Sequence, residues 1–184
     1  TFRHERYDAY KANRKAMPDE LKEQIPVIYN IFEKTNIPLL MLESYEADDI
    51  IGTFSSSLKN EQNHIYIVSG DKDLMQLVND STSIYSLGNK FKPTTVYNQK
   101  KVFEKWNIHP EKIVDYLALI GDASDNIPGV AGVGPKTAVK LINEYGDIES
   151  IYNSIDQIKN IKLKEKLSDN KSNALLSKEL ITLD

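Results

Sequence analysis

Seven carboxylates fall in three tight groups along this chain of 184 residues: Glu46, Asp48 and Asp49 in YEADD, Asp71 and Asp73 in SGDKD, and Asp122 and Asp125 in GDASDN. Glu46 and Asp49 are three apart and share one face of a helix; Asp122 and Asp125 repeat the spacing. Residues 43–73 carry seven acids and two lysines. Crowded carboxylates repel, and some must take up protons unless a cation relieves them. All-oxygen donors in a chain without cysteine select Mg²⁺ or Mn²⁺ over zinc. More than one acidic group points to more than one ion. Two ions ~3.5–4 Å apart are the arrangement that drives in-line displacement at phosphorus.

Plainer readings stand beside this one. Acids at helix starts cap free amides and meet the dipole, and each group taken alone fits that role. Three acids in four residues exceed the needs of one helix start, and Ala47 and Ile50 would bury one side of that helix, fixing the acids in place. A strand followed by D-x-D also occurs in phosphatases and phosphotransferases of the haloacid dehalogenase type, where the first Asp, here Asp71, is the nucleophile. That alternative leaves YEADD and the glycine segment unused.

The glycine segment is NIPGVAGVGPKTA, residues 126–138. Gly132-Val-Gly134 makes a tight turn, Pro135 suits a first helical position, and Gly146 is placed as a stop. Glycines let backbone approach a phosphate closely, and the helix start that follows offers amides and a positive dipole end. Lys136 and Thr137 add side-chain contacts. This pattern describes a helix–hairpin–helix clamp on a nucleic-acid backbone, which grips phosphate without reading bases; an ordinary helical corner is the alternative. A third signal is the opening TFRHERYDAYKANRK, with five cations against two acids. If it is helical, Tyr10, Lys11 and Arg14 share a face. Such cations can stabilise a charged phosphoryl transition state, and the ring can stack on a base.

The elements that must hold these groups follow from the apolar pattern. A helix is expected after Pro18 through Leu21, Ile25, Ile28, Ile31 and Phe32, bent or restarted at Pro26. Pro38–Leu42 (PLLML) reads as a buried strand, Glu46–Leu58 as a helix with Ala47, Ile50, Ile51 and Phe54 inward, and His64–Ser69 as a second strand. A helix over Asp71–Val78 and a third strand over Ser83–Leu87 follow. Alternation of this kind argues for parallel crossovers, with ligands gathered at the carboxyl ends of the strands. Both of the first two acidic groups lie there. Beyond residue 98 the spacing is helical: Gln99–Trp106, Pro110–Ile120, then short helices over 148–180. We therefore divide the chain into an α/β region, 1–98, and a helical region, 99–184.

Composition sets outer limits. With 23 bases, 27 acids and 3 histidines the net charge is −4, which excludes a uniformly basic nucleic-acid sponge. The absence of cysteine excludes disulfides, thiolate zinc sites and cysteine nucleophiles. No apolar run approaches ~20 residues, so no membrane-spanning helix is expected.

Taken together, TFRHE with YKANR, YEADD, SGDKDLMQLV and LIGDASDNIPGVAGVGPKTA, in that order, make the chain resemble the 5′→3′ exonuclease, or flap endonuclease, domain of bacterial DNA polymerase I and its stand-alone relatives. The resemblance runs over nearly the whole chain. It implies a PIN-like parallel α/β sheet, a helical arch and a helix–three-turn–helix clamp. It implies a divalent-metal nuclease that removes 5′ ends and 5′ flaps of DNA, including RNA primers, in replication and repair in the bacterial cytoplasm. The products would carry 5′-phosphate and 3′-hydroxyl. By motif match Glu46, Asp48, Asp49, Asp71, Asp73, Asp122 and Asp125 become metal-site acids for two Mg²⁺ or Mn²⁺ ions. Arg3, Tyr10, Lys11 and Arg14 become arch residues gripping the 5′ strand, with Lys11 and Arg14 catalytic. Gly132, Gly134, Lys136 and Thr137 become the duplex-holding hairpin, whose carbonyls would also hold K⁺. A polymerase domain in the same parent chain and a monomeric state are further implications. The family pattern also begins with an Asp-bearing strand and a second Asp ahead of TFRHE. Neither occurs in these 184 residues, so weak or no cleavage by this chain alone is expected. A branched-DNA-binding module without catalysis is the alternative.

Overall fold

In a computed structural model the described residues are 1–59 and 62–183. Helix α1 (Phe2–Arg6) and helix α2 (Asp19–Lys34) precede α3 (Ala47–Ser57). Strands β1 (Ile65–Val68), β2 (Thr82–Ser86) and β3 (Thr95–Tyr97) follow, with a 3₁₀ helix over Asp73–Leu77 between the first two. Helices α4 (Gln99–Trp106), α5 (Ile113–Ile120), α6 (Pro135–Tyr145), α7 (Ile148–Asn153), α8 (Ile161–Asp169) and α9 (Lys171–Ile181) complete the chain.

The α/β expectation holds, but the sheet is small and mixed. β1 and β2 are parallel, pairing Ile65 with Thr82 and Val68 with Tyr85, whereas β3 is antiparallel to β2. β3 went unread because three residues are too few to show alternation. In the order β1-β2-β3, β1 lies at an edge, and no strand among the described residues pairs with its outer side. PLLML does not join the sheet. Residues 38–42 form no strand, and Leu39 to Leu42 are 43–68% exposed. An apolar run alone does not make a strand without a neighbour to take its backbone hydrogen bonds.

α2, expected to bend or restart at Pro26, is a single helix running through it, and none of its residues is buried. The inward face of α3 is also different from that read in the sequence. Asp49, Gly52 and Ser55 are its buried residues, while Phe54 is 44% exposed. The core sits mainly in the helical half. Ile113, Tyr116, Leu117, Ala118 and Leu119 of α5 are all buried, beside Ile148, Ile151, Leu167, Ala174 and Leu180. This half is rigid backing for the loops around it.

Local signals explain the helix ends. Asn98 caps α4 by accepting from the Lys101 amide, and Asn107 ends it in the left-handed region at φ 56°. Gly134 caps α6, Pro135 occupies its first position, and Gly146 ends it at φ 100°.

Candidate active site

The amino end of α3 is where the first acidic group is fixed. Glu46 is its N-cap, and the Asp49 carboxylate accepts from the Glu46 amide at 3.0 Å. Capping is thus real for these two acids. Asp49 has a second engagement. The Arg3 guanidinium donates to both of its oxygens at 2.7 Å, and the two side chains are 2% and 1% exposed. Arg3 also donates to the carbonyls of Leu180 and Thr182, at 2.7 and 3.0 Å. Burial works against the Arg3 charge, but Asp49 overcomes it and raises its proton affinity. Two expectations change here. Arg3, expected at the 5′ strand, is a buried tie between α1, α3 and the end of α9. Asp49 faces that tie, with both oxygens taken up by protein.

Residues 8–14 are not helical, and Lys11 has φ 56°. The Lys11 amide donates to the Asp125 carbonyl at 2.8 Å, and the Asn126 side chain donates to the Ala9 carbonyl at 2.7 Å. The basic loop is therefore stapled to GDASDN. That docking, rather than a shared helix face, brings its cations to the acids. Lys11 Nζ lies 2.5 Å from Glu46 and 3.9 Å from Asp125. Arg14 donates to Asp125 from Nη2 at 2.5 Å and from Nε at 2.9 Å. Tyr10 is buried and donates to Glu46 at 3.2 Å. Burial, followed by the Glu46 charge, pushes its hydroxyl well above the usual tyrosine range.

The second acidic group follows β1 directly, as the strand rule requires. The Ser69 hydroxyl accepts from the Asp71 amide, and Asp71 accepts from the Asp73 amide, both at 3.0 Å. Between them Lys72 reaches Asp122 at 2.6 Å, joining this loop to the third group. Burial alone would raise the Asp122 carboxyl. Hydrogen bonds from Lys72 and from the Ser124 hydroxyl and amide outweigh it and hold it down to about 2. Lys72 escaped the sequence reading, although its place between two acids was a usable signal.

The GDASDN turn depends on two glycines. Asp122 and Ile127 exchange backbone hydrogen bonds at 2.9 and 2.8 Å, between Gly121 at φ 70° and Gly129 at φ 61°. A Cβ on Gly129 would lie 2.5 Å from the Gly121 nitrogen. Gly129→Ala is expected to cost about 1–3 kcal/mol from backbone strain and to displace Asp122 and Asp125. A thermal melt matching the parent protein would show that the turn yields freely.

A cavity of about 200 Å³ collects most of these groups. Arg3, Tyr10, Lys11, Arg14, Glu46, Asp48, Asp71, Asp73 and Asp125 line it, with Leu180, Ile181 and Leu183 from the chain's end. Three sequence-distant segments thus converge. Among the described residues no ion pair joins Asp48 or Asp73 to a cation, whereas Glu46, Asp122 and Asp125 each have one. Burial, then the Asp71 charge, pushes Asp73 up to about 6. Burial, then Asp71 and Glu46, likewise raises Asp48. Among the described residues no three acids converge closely enough to form a ready metal-holding group. The lysines and Arg14 do part of the neutralising instead. The hard-oxygen donors and the raised proton affinities of Asp48 and Asp73 nonetheless suit a divalent cation, which relieves that same repulsion.

The glycine hairpin lies apart from this cavity. Gly132, Lys136 and Thr137 line a groove of about 530 Å³ with Lys140, Asn160, Lys162 and Lys166. Gly134 caps α6 at the hairpin's end. Lys166 Nζ is 3.4 Å from the Gly132 carbonyl, so a protein cation already stands at one of the carbonyls expected to hold K⁺. Lys162 and Lys166 of α8 belong to no motif that would pair them with the hairpin from the sequence.

Residues 1–107 match the family model "5′-3′ exonuclease, N-terminal resolvase-like domain", and residues 108–184 match "5′-3′ exonuclease, C-terminal SAM fold". DNA polymerase I of Bacillus subtilis is 44% identical over 183 residues, covering 100% of this chain and 21% of that protein. A 5′-3′ exonuclease of Buchnera aphidicola is 41% identical over 186 residues, covering 98% of this chain and 64% of that protein. The chain thus spans about a fifth of the polymerase relative. A crystal structure of the bacteriophage T5 D15 flap endonuclease, in a pseudo-enzyme-product complex with DNA and metal ions, superposes with a TM-score of 0.79 at 26% identity. It covers 98% of this chain and 69% of that one.

Proposed function

The chain belongs to the 5′-3′ exonuclease family, and on that premise we propose that it acts on 5′ ends and 5′ flaps of DNA by phosphodiester hydrolysis. The observation that carries the reading is the convergence of Lys11 and Arg14 with acids from three segments on one cavity. Asp48, Asp71 and Asp73 would hold a divalent ion, Mg²⁺ or Mn²⁺, and a second ion would draw in Asp122 and Asp125. Such ions supply charge neutralisation and a water of lowered pKa.

The chain's own residues do the rest. Lys11 and Arg14 are released from Glu46 and Asp125 when a phosphate enters, and they neutralise charge that develops on the leaving side. Tyr10 keeps its proton and offers Glu46 a donor, which holds that carboxylate in place as Lys11 leaves. At the hairpin, Gly132, Gly134, Lys136 and Thr137 hold the duplex by its phosphates. K⁺ there would compete with Lys166 for the Gly132 carbonyl. A polymerase domain in the same polypeptide is the partner that the polymerase relatives suggest.

A second reading, a branched-DNA-binding module without catalysis, is favoured by one observation. The acids Glu46, Asp122 and Asp125 are already paired with protein cations. A 5′-flap duplex with a labelled 5′ end separates the two. Mg²⁺-dependent cleavage near the flap junction, absent in EDTA, supports the nuclease. Binding without cleavage, in this chain and in a version extended upstream, supports the module. Under either reading, Lys136→Ala should weaken duplex binding equally across sequences. It should also reduce the slope of log affinity against log salt by about 1. An unchanged slope in a salt titration would remove Lys136 from the interface.

A further inference from the structure

Residues 87–94 connect β2 to β3. Among the side chains of this loop, Phe91 is 87% exposed, an apolar ring held almost wholly in water. Lys90 and Lys92 flank it, both exposed, and neither pairs with a carboxylate among the described residues. An exposed ring between two unpaired cations has the chemistry that single-stranded nucleic acid meets, because bases stack on the ring and phosphates meet the ammonium groups.

The tip is preorganised. The Asn89 side chain accepts from the Phe91 and Lys92 amides at 2.9 and 3.1 Å, and the Asn89 amide donates to the Lys92 carbonyl at 2.8 Å. The loop also folds back on Gly88, where an added Cβ would lie 2.5 Å from the Thr94 nitrogen and 2.6 Å from the Lys92 carbonyl. The ring is thus displayed by a closed turn, and binding to it forfeits little backbone freedom.

Its placement is equally specific. Because β1 and β2 are parallel, their carboxyl ends lie side by side, and the Ser69 amide donates to the Tyr85 carbonyl at 3.2 Å. Asp71 follows Ser69 by two residues, and the loop begins two residues after Tyr85. The aromatic tip and the acidic loop therefore leave the same end of the sheet.

We propose that Lys90-Phe91-Lys92 is a single-strand contact of this protein, with Phe91 stacking on a base of the unpaired arm of a branched substrate and the two lysines holding its phosphates. The inference rests on the DNA-directed reading above and adds a residue set that the acidic cavity and the glycine hairpin do not include.

The test compares the parent chain with Phe91→Ala, Phe91→Trp and Lys136→Ala by fluorescence anisotropy in EDTA. The DNAs are a duplex with a single-stranded 5′ arm and the same duplex blunt. Phe91→Ala should weaken binding to the armed duplex at least about fivefold, change the blunt duplex less than twofold, and be rescued by Phe91→Trp. A 2-aminopurine in the arm should be quenched by the parent and by Phe91→Trp but not by Phe91→Ala. Phe91→Ala binding like the parent, or losing equally on both DNAs, overturns the proposal. If those results come while Lys136→Ala still weakens both DNAs, the DNA-directed reading survives and only this inference falls. Failure of the parent chain to bind either DNA overturns both.

Discussion

Arg3→Ala should destabilise the fold by about 3–5 kcal/mol, the cost of leaving a buried charge without its partner. Asp49 is 1% exposed and would lose both guanidinium hydrogen bonds. The Leu180 and Thr182 carbonyls would lose a donor as well. For a domain of this size each kcal/mol moves the melting temperature by about 2–4 °C, so a fall on the order of 10 °C is expected. Arg3→Lys should recover little of it, because one ammonium cannot meet two carboxylate oxygens and two carbonyls in the geometry of a planar fork. Circular-dichroism melts decide the matter. A variant melting within a degree of the parent would mean that Arg3 is not the tie described here. The damage should also reach the cavity, since α3 carries Glu46 and Asp48 and the end of α9 forms its wall.

Asp73→Asn is expected to give the opposite pairing, with activity lost and stability gained. In the folded chain Asp73 is held up to about 6, by burial and then by Asp71. The folded state therefore binds more protons than the unfolded one between roughly pH 4 and 6, and stability from this group falls as pH rises through that window. Above about pH 6 the full cost of a buried charge is present. Asparagine removes it, so the variant should be more stable than the parent at pH 8 by on the order of 1–3 kcal/mol, and no more stable at pH 4. Melts in EDTA at the two pH values test this; equal stability at both would deny the burial cost. Mg²⁺ should raise the melting temperature of the parent at pH 8 more than that of the variant. In a flap-cleavage assay on an active parent form, turnover should drop by about 10²–10³, the scale for losing one electrostatic group from a reaction centre. DNA affinity should change far less.

Where each site residue would go was legible unevenly, and the reasons are physical. Asp71 and Asp73 were placed by the rule that ligands gather beyond parallel strands. α4 and α6 were readable because Asn98, Gly134, Pro135 and Gly146 mark their ends chemically. Tyr10, Lys11 and Arg14 do reach the acids, but not through a helix. Their loop turns at Lys11, whose positive φ leaves no trace in residue type, and its Ala9 carbonyl is held by Asn126, 117 residues further along. The burial of Arg3 was not legible because exposed and buried arginines look alike in sequence; only the geometry of Asp49 separates them. PLLML misled for a related reason. Its apolar character is evident, yet what makes a strand is a neighbouring backbone, and no residue pattern announces one.

The edge position of β1 bears on how the protein behaves in a tube. Among the described residues Ile65–Val68 pairs with β2 on one side only; it carries neither a charge nor a proline, and Tyr66 and Val68 are 58% and 63% exposed. Open edges of this kind recruit other chains, and natural sheets blunt them with lysine, proline or brevity. Among the described residues, the four-residue length of β1 is what blunts it. The net charge of −4 supplies the remaining protection as long-range repulsion, and salt screens it. Raising ionic strength should therefore bring copies of this chain closer together, and light scattering across a salt series is expected to rise with salt.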